Sequence, residues 1–207
     1  MNSEPVQVFL VDDERAVTDG LKWLLDSVKI PARAFSNAED FLAEVRKARG
    51  PACAVLDLRM AETSGLALQQ QMLAENLQLP LIFLSAHGDV PAAVNAIKLG
   101  AFDFMEKPFK PQAFLEAINR LMGIARENYE QRAKESDIRG NLKKLSAREA
   151  EVFDCLIEGR TSKEVAQLLH ISPKTVDVHR ASIMHKMSAA SVGELQRMMG
   201  LLRRAKP

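Results

Sequence analysis

No apolar run in this sequence approaches the ~20 residues that a membrane-spanning helix needs, so a helical anchor is excluded. The opening Met1-Asn2-Ser3-Glu4-Pro5 has neither a basic start nor an apolar segment behind it. That argues against an export signal and for a cytoplasmic protein. Only two cysteines occur, Cys53 and Cys155, far apart and each among apolar neighbours. They exclude a disulfide framework, and buried free thiols in a reducing compartment are expected. No glycine-rich loop follows a strand-like segment, so the phosphate cradle of a nucleotide-binding fold is missing.

What is present fills 207 residues, enough for one domain of ordinary size and a smaller second one. The net charge of +1 hides an asymmetry. Residues 1–140 hold 16 Lys and Arg against 20 Asp and Glu, a net of −4; residues 141–207 hold 12 against 7, a net of +5. A basic last third behind an acidic front points to a polyanionic partner at the back only.

Short apolar runs lie at Val6–Val11, Ala32–Phe35, Ala52–Leu56, Pro80–Leu84 and Ala101–Met105. Amphipathic stretches separate them: Ala16–Val28, Ala38–Arg46, Leu66–Asn76, Val90–Leu99 and one from Pro111. This alternation predicts an α/β domain, a five-stranded parallel sheet with helices on both faces. Beyond Pro111 the apolar residues Phe114, Ile118, Leu121 and Ala125 keep helical spacing, and then the pattern turns polar through Glu127–Gly140. The division expected is 1–122 for the front domain, 123–143 for a helical linker and 144–207 for the second domain.

The last third has no strand pattern and several helix starts. Ser146-Ala147-Arg148-Glu149, Thr161-Ser162-Lys163-Glu164 and Ser191-Val192-Gly193-Glu194 read as capping boxes. Ser172-Pro173 supplies an N-cap with proline at the first helical position, and Gly159 is a plausible stop. Four helices follow, at about 146–158, 162–169, 173–187 and 192–204.

Polar residues sit just after four strands: Asp12 and Asp13 after the first, Asp57 after the third, Ser85 after the fourth and Lys107 after the fifth. Ligands of open α/β sheets bind at the carboxyl ends of strands. With strand order 2-1-3-4-5 these residues converge on one pocket, as in flavodoxin-like folds. Crowded carboxylates call for a cation, and oxygen-only ligands that leave room for water suit Mg²⁺. A carboxylate there can accept a phosphoryl group, whose oxygens Lys107, Ser85 and the cation would hold.

The segments Val11-Asp12-Asp13-Glu14, Leu56-Asp57-Leu58-Arg59-Met60, Leu84-Ser85-Ala86-His87-Gly88 and Asp103-Phe104-Met105-Glu106-Lys107-Pro108-Phe109 resemble the receiver domain of response regulators. The resemblance covers about the first 120 residues. It implies that Asp57 is the phosphoacceptor and that Asp13, Asp57 and the Arg59 backbone carbonyl ligate Mg²⁺, with Asp12 reaching it through water. It makes Ser85 and Phe104 a switch pair and the Lys107–Pro108 bond cis. Ala61 departs from the family, which usually has proline after Met60. Glu14 is read as the start of the first helix, and His87 as a loop residue.

On a helical wheel of 173–187, Val176, Ile183 and Met187 share one face, as a core stripe should. Lys174, Val178, Ala181 and His185 share the opposite face, flanked by Asp177 and Ser182. Small side chains allow close approach to a major groove. Val178 and Ala181 suit a thymine methyl and Asp177 suits cytosine N4. Lys163, Lys174, Thr175 and His179 are candidates for phosphate contacts. Residues 145–202 resemble the NarL/FixJ (LuxR-type) helix-turn-helix domain, and the whole chain its FixJ-like branch. The carrying motifs are Leu145-Ser146-Ala147-Arg148-Glu149, Gly159–Ala166 and Ile171–Arg180.

These resemblances imply a response regulator phosphorylated by a sensor histidine kinase. It would dimerise, bind double-stranded promoter DNA, and regulate (as activator) through RNA polymerase, directly or indirectly. A phosphohydrolase enzyme would combine similar groups, but it normally carries a D-x-D motif after the first strand. Here Asp12 and Asp13 are adjacent and Asp57 stands alone, so a non-enzymatic regulator is expected. A second competing reading is a regulator independent of phosphorylation, which the complete set of Asp13, Asp57, Ser85 and Lys107 opposes.

Overall fold

A computed structural model describes residues 4–86 and 90–204. His87 lies outside them.

Five strands form one parallel sheet: β1 (Gln7–Val11), β2 (Ala32–Phe35), β3 (Ala52–Asp57), β4 (Leu81–Ser85) and β5 (Asp103–Glu106), in the order β2-β1-β3-β4-β5. Every residue of β3 and β4 is buried, which is why both read as continuous apolar runs. Side chains alternate between the faces. Val8, Leu10, Val55, Ile82 and Leu84 pack on one side with Leu21 and Leu25 of helix α1 (Arg15–Ser27) and Phe114, Ile118 and Leu121 of helix α5 (Pro111–Leu142). Phe9, Val11, Leu56 and Phe83 pack on the other. Their partners there are Phe41 of α2 (Ala38–Val45), Leu68 and Met72 of α3 (Gly65–Ala74) and Ala96 of α4 (Val90–Lys98).

Local signals set the helix ends. Asn37 Oδ1 accepts from Asp40 N ahead of α2, and Ser64 Oγ accepts from Ala67 N ahead of α3. Glu14 starts α1, with no side-chain cap bond. The fifth strand begins two residues later than its apolar run. Ala101 N instead bonds Ala96 O, and Gly100, at φ +92°, bonds Ile97 O. Buried Ala101 therefore belongs to the closure of α4, where an apolar residue just past the helix packs back on it.

The chain divides into two compact units between Tyr129 and Glu130, inside the segment read as linker. Leu121 and Ala125 of α5 belong to the core of the first unit, Ile138 to that of the second. The second unit adds α6 (Ala147–Ile157), α7 (Ser162–Leu169), α8 (Pro173–Met187) and α9 (Val192–Arg204) around Val152, Phe153, Leu156, Val165, Val176, Ile183, Met187 and Leu195. Two capping boxes are complete, Ser146 with Glu149 and Thr161 with Glu164. The third is displaced. Ser191 Oγ accepts from Glu194 N, but the Glu194 carboxylate takes Ala190 N, one residue earlier than a capping box requires. Gly159 closes α6 at φ +84°, its N–H on Leu156 O and Arg160 N on Cys155 O. Both cysteines are free and buried, and burial pushes the Cys53 thiol up to about 12.

Candidate phosphoryl site and nucleic-acid interface

The register aligns Val11 with Leu56, Asp57 with Leu84 and Ser85 with Glu106, so the predicted residues lie at the carboxyl ends of neighbouring strands. Lys107 N donates to Ser85 O at 2.7 Å, and Leu58 N to Leu84 O at 2.8 Å. The Lys107–Pro108 bond is cis. Lys107 Nζ donates to Asp12 Oδ2 and to Asp57 Oδ1, each at 2.7 Å. Asp12 Oδ1 accepts from Glu14 N and Asp57 Oδ2 from Arg59 N. Burial works against the Lys107 charge, but the bonds to Asp12 and Asp57 outweigh it and hold the ammonium above its usual range. Asp12, Asp57 and Ser85 are buried, at 3%, 7% and 1% exposure, whereas Asp13 and Arg59 are exposed. Phe104 is half-buried against the α2–α4 side of the sheet.

Gly65 was missed by sequence reasoning. A Cβ there would lie 2.3 Å from Asp57 O and 2.8 Å from the Phe83 ring, so only glycine lets α3 start this close to the acceptor strand.

Among the described residues no three Asp, Glu, His or Cys side chains form a ready-made metal cage. Mg²⁺ does not require one, because it keeps several waters and binds through one or two carboxylates plus phosphate oxygens. The donor set fits that pattern. It is all oxygen, and Asp13 Oδ1 accepts no hydrogen bond among the described residues. Asp13, Asp57 and the Arg59 carbonyl are the residues that would hold the ion, with Asp12 beside them.

In the second unit, α7 and α8 are joined by a turn in which His170 takes a left-handed conformation (φ +53°) and Ser172 caps Thr175 N. The wheel is reproduced: Val176, Ile183 and Met187 are buried, while Lys174, Val178, Ala181 and His185 are exposed. Val178 is 64% exposed, on the same face as Lys174, Ala181 and His185. Lys163, Thr175 and Asp177 are exposed and His179 is half-buried. Two of these are already engaged. Asp177 Oδ1 accepts from Ser162 Oγ at 2.9 Å, and the Thr175 hydroxyl pairs with that of Ser172 at 2.8 Å.

Glu149 does more than cap α6. Its buried carboxylate also accepts from Ser182 Oγ and Lys186 Nζ, each at 2.6 Å, which ties α8 to α6. Lys186 first, then Ser182 and Ser146, hold its carboxyl down to about 2. The sequence signal for this was Ser182 and Lys186, one turn apart on α8.

A buried acid pair bridged by lysine at the strand ends of a 2-1-3-4-5 sheet defines a receiver-type unit, and the four helices behind it a helix-turn-helix unit. Comparison with known proteins gives the same division. Residues 8–119 match the response regulator receiver domain, and residues 143–199 match the bacterial regulatory proteins of the luxR family. The transcriptional regulatory protein TdiR of Thauera aromatica is 44% identical over 91% of this chain and 82% of its own length. FixJ of Azorhizobium caulinodans is 41% identical over 94% of this chain and 92% of its own. The solved structure of the response regulator StyR superposes with a TM-score of 0.80 at 36% identity, covering 95% of this chain and 98% of that one. The chain belongs to the two-component response regulators that join a receiver domain to a LuxR-type DNA-binding domain, and is a transcriptional regulator. No helix among the described residues is long and apolar enough to cross a membrane.

Proposed function

We propose that Asp57 takes a phosphoryl group from a sensor histidine kinase in the cytoplasm, and that the phosphorylated chain dimerises, binds promoter DNA and activates transcription. The observation that supports this best is the Lys107 ammonium shared by Asp12 and Asp57 at 2.7 Å each. It neutralises a buried acid pair and sits where an incoming phosphoryl oxygen needs a positive charge. In the transfer, a carboxylate oxygen of Asp57 forms a bond to phosphorus, the phosphorus–nitrogen bond to the kinase histidine breaks, and the leaving imidazole regains its proton. Bound Mg²⁺ would supply charge neutralisation on the phosphoryl oxygens. Arg59 N holds Asp57 Oδ2, which orients the nucleophile. The Ser85 hydroxyl, buried on the neighbouring strand, is the group that would follow the phosphoryl oxygen, with half-buried Phe104 filling the space it vacates.

On the DNA side, Val178 and Ala181 would contact base edges, with Asp177 held by Ser162 as an oriented acceptor. Lys163, Lys174, Thr175 and His179 would engage the backbone, with His185 on the face that carries Val178 and Ala181. The test uses a small-molecule phosphodonor with Mg²⁺. The wild-type chain is expected to gain one base-labile phosphoryl group, and Asp57→Asn or chelation of the metal to abolish it. Equal labelling of Asp57→Asn would overturn the assignment.

A further inference from the structure

Asp177 is the only acidic residue of α8, and it is exposed beside Val178. A carboxylate facing DNA is repelled by the phosphates, and it can only accept hydrogen bonds. This one is held from a different helix. Ser162, the first residue of α7, donates its hydroxyl to Asp177 Oδ1 at 2.9 Å, across 15 residues. Lys174 and Arg180 stand three residues to either side on α8, a spacing at which opposite charges pair. Among the described residues the carboxylate is bonded to Ser162 rather than to either cation. The bond is not needed to hold α8 in place. Buried Val176, Ile183 and Met187 anchor that helix, and Glu149 takes Ser182 and Lys186 from it. A solvent-exposed bond exchanges for bonds to water and adds little to such an anchor. What it fixes is the position of one acceptor on the exposed face.

The chemistry of the major groove decides what such an acceptor can meet. Its only base donors are the exocyclic amines of cytosine, N4, and adenine, N6. Guanine presents N7 and O6, and thymine presents O4 beside its methyl group, so both leave a carboxylate unpaired. The adenine amine lies between two acceptors, its own N7 and O4 of the paired thymine. The cytosine amine has an acceptor on one side only, O6 of the paired guanine. A carboxylate therefore finds its best partner in cytosine. We propose that Ser162 is a positioning residue for sequence reading: it holds Asp177 as the acceptor for a cytosine amine, so one base pair of each half-site must present cytosine. Asp177 then works largely by exclusion, because every other base leaves a negative charge unpaired against DNA. The inference rests on the reading of α8 as the helix that enters the major groove.

Both can be tested by selecting duplexes from a random-sequence DNA pool with the full-length chain, in the presence of a small-molecule phosphodonor and Mg²⁺. The readout is base preference at each position of the selected half-site, because a general loosening of the second unit weakens all duplexes together. Wild type is expected to prefer cytosine over thymine at one position by about tenfold. Ser162→Ala is expected to reduce that preference to about threefold or less, and Ser162→Thr, which keeps the hydroxyl, to retain it. Asp177→Asn, whose amide suits adenine, is expected to move the preferred base to adenine. In Asp177→Ala, adding Ser162→Ala is expected to change nothing further at that position. A wild-type profile without the cytosine preference overturns the proposal. So does a Ser162→Ala protein that loses affinity for all duplexes alike and keeps the preference, which makes the bond a brace between helices and leaves α8 as the reader. A profile that neither Asp177→Asn nor Val178→Ala moves overturns both readings.

Discussion

Gly65 and Glu149 are set by contacts that one side chain can break. Gly65→Ala puts a methyl group 2.3 Å from Asp57 O and 2.8 Å from the Phe83 ring, and neither backbone nor ring can yield cheaply. We expect a loss of about 1–3 kcal/mol, as for other overpacked cores, read from urea unfolding, together with slower phosphoryl uptake by Asp57. Unchanged stability would show that the start of α3 relaxes more easily than its geometry implies. Glu149 gives a pH signature. Its carboxyl is lowered from 4.5 to about 2, chiefly by Lys186. A lowered carboxyl contributes stability above its unfolded value and loses it as pH falls through the folded one. The second unit should therefore weaken between pH 4.5 and about 2, and in Glu149→Gln that part of the pH dependence should disappear. Unfolding midpoints at several pH values decide it; identical slopes in both proteins would dismiss the carboxylate.

At the scale of elements, α4 carries an apolar outward face that suits the proposed dimer. Val90, Val94 and Ile97 are exposed apolar side chains within two turns, at 69%, 47% and 47%. Pro91 is exposed between them. Its inward face is secured by buried Ala96 and by Gln69 of α3, whose Nε2 donates to Ala96 O and Leu99 O. A two-fold dimer would bury such a patch against its own copy, so a charge added there is buried by both partners. Val94→Asp should leave the fold intact and weaken the proposed phosphorylation-driven dimerisation by about tenfold or more, since an unpaired charge in an interface costs several kcal/mol. Sedimentation of the phosphorylated variant is the measurement, and a wild-type dimer would rule this face out.

For the whole molecule, the proposed activity couples a phosphoryl sensor to a DNA reader. One small reader makes few phosphate contacts and binds weakly at physiological salt. Two readers on one DNA gain effective concentration, worth ~10²–10⁴ in avidity without a new contact. The phosphorylated chain should therefore prefer DNA with two half-sites over one by about that range. The unphosphorylated chain should show little preference. The fragment 141–207 should bind better than the unphosphorylated full chain if the front unit restrains the back one. Binding assays across protein concentration test this; affinity independent of Asp57 phosphorylation would sink the scheme.

Periodicity and punctuation are local, so the sequence by itself determined the elements of this protein: apolar β3 and β4, the cap of α8 at Ser172-Pro173, and the core stripe Val176, Ile183 and Met187. It also determined which chemistry the strand ends carry, because Asp12, Asp57, Ser85 and Lys107 each follow a readable strand. Only the tertiary structure decided how those groups share their charges. One Lys107 ammonium serves Asp12, 95 residues away, and Asp57, 50 residues away. The Ala61 amide reaches Asp13 across 48 residues, and Lys186 reaches Glu149 across 37. No spacing rule encodes such pairs. They exist because the sheet order and helix packing bring distant backbone segments within hydrogen-bond distance, and that distance is set by the summed packing of both cores rather than by any neighbouring residue.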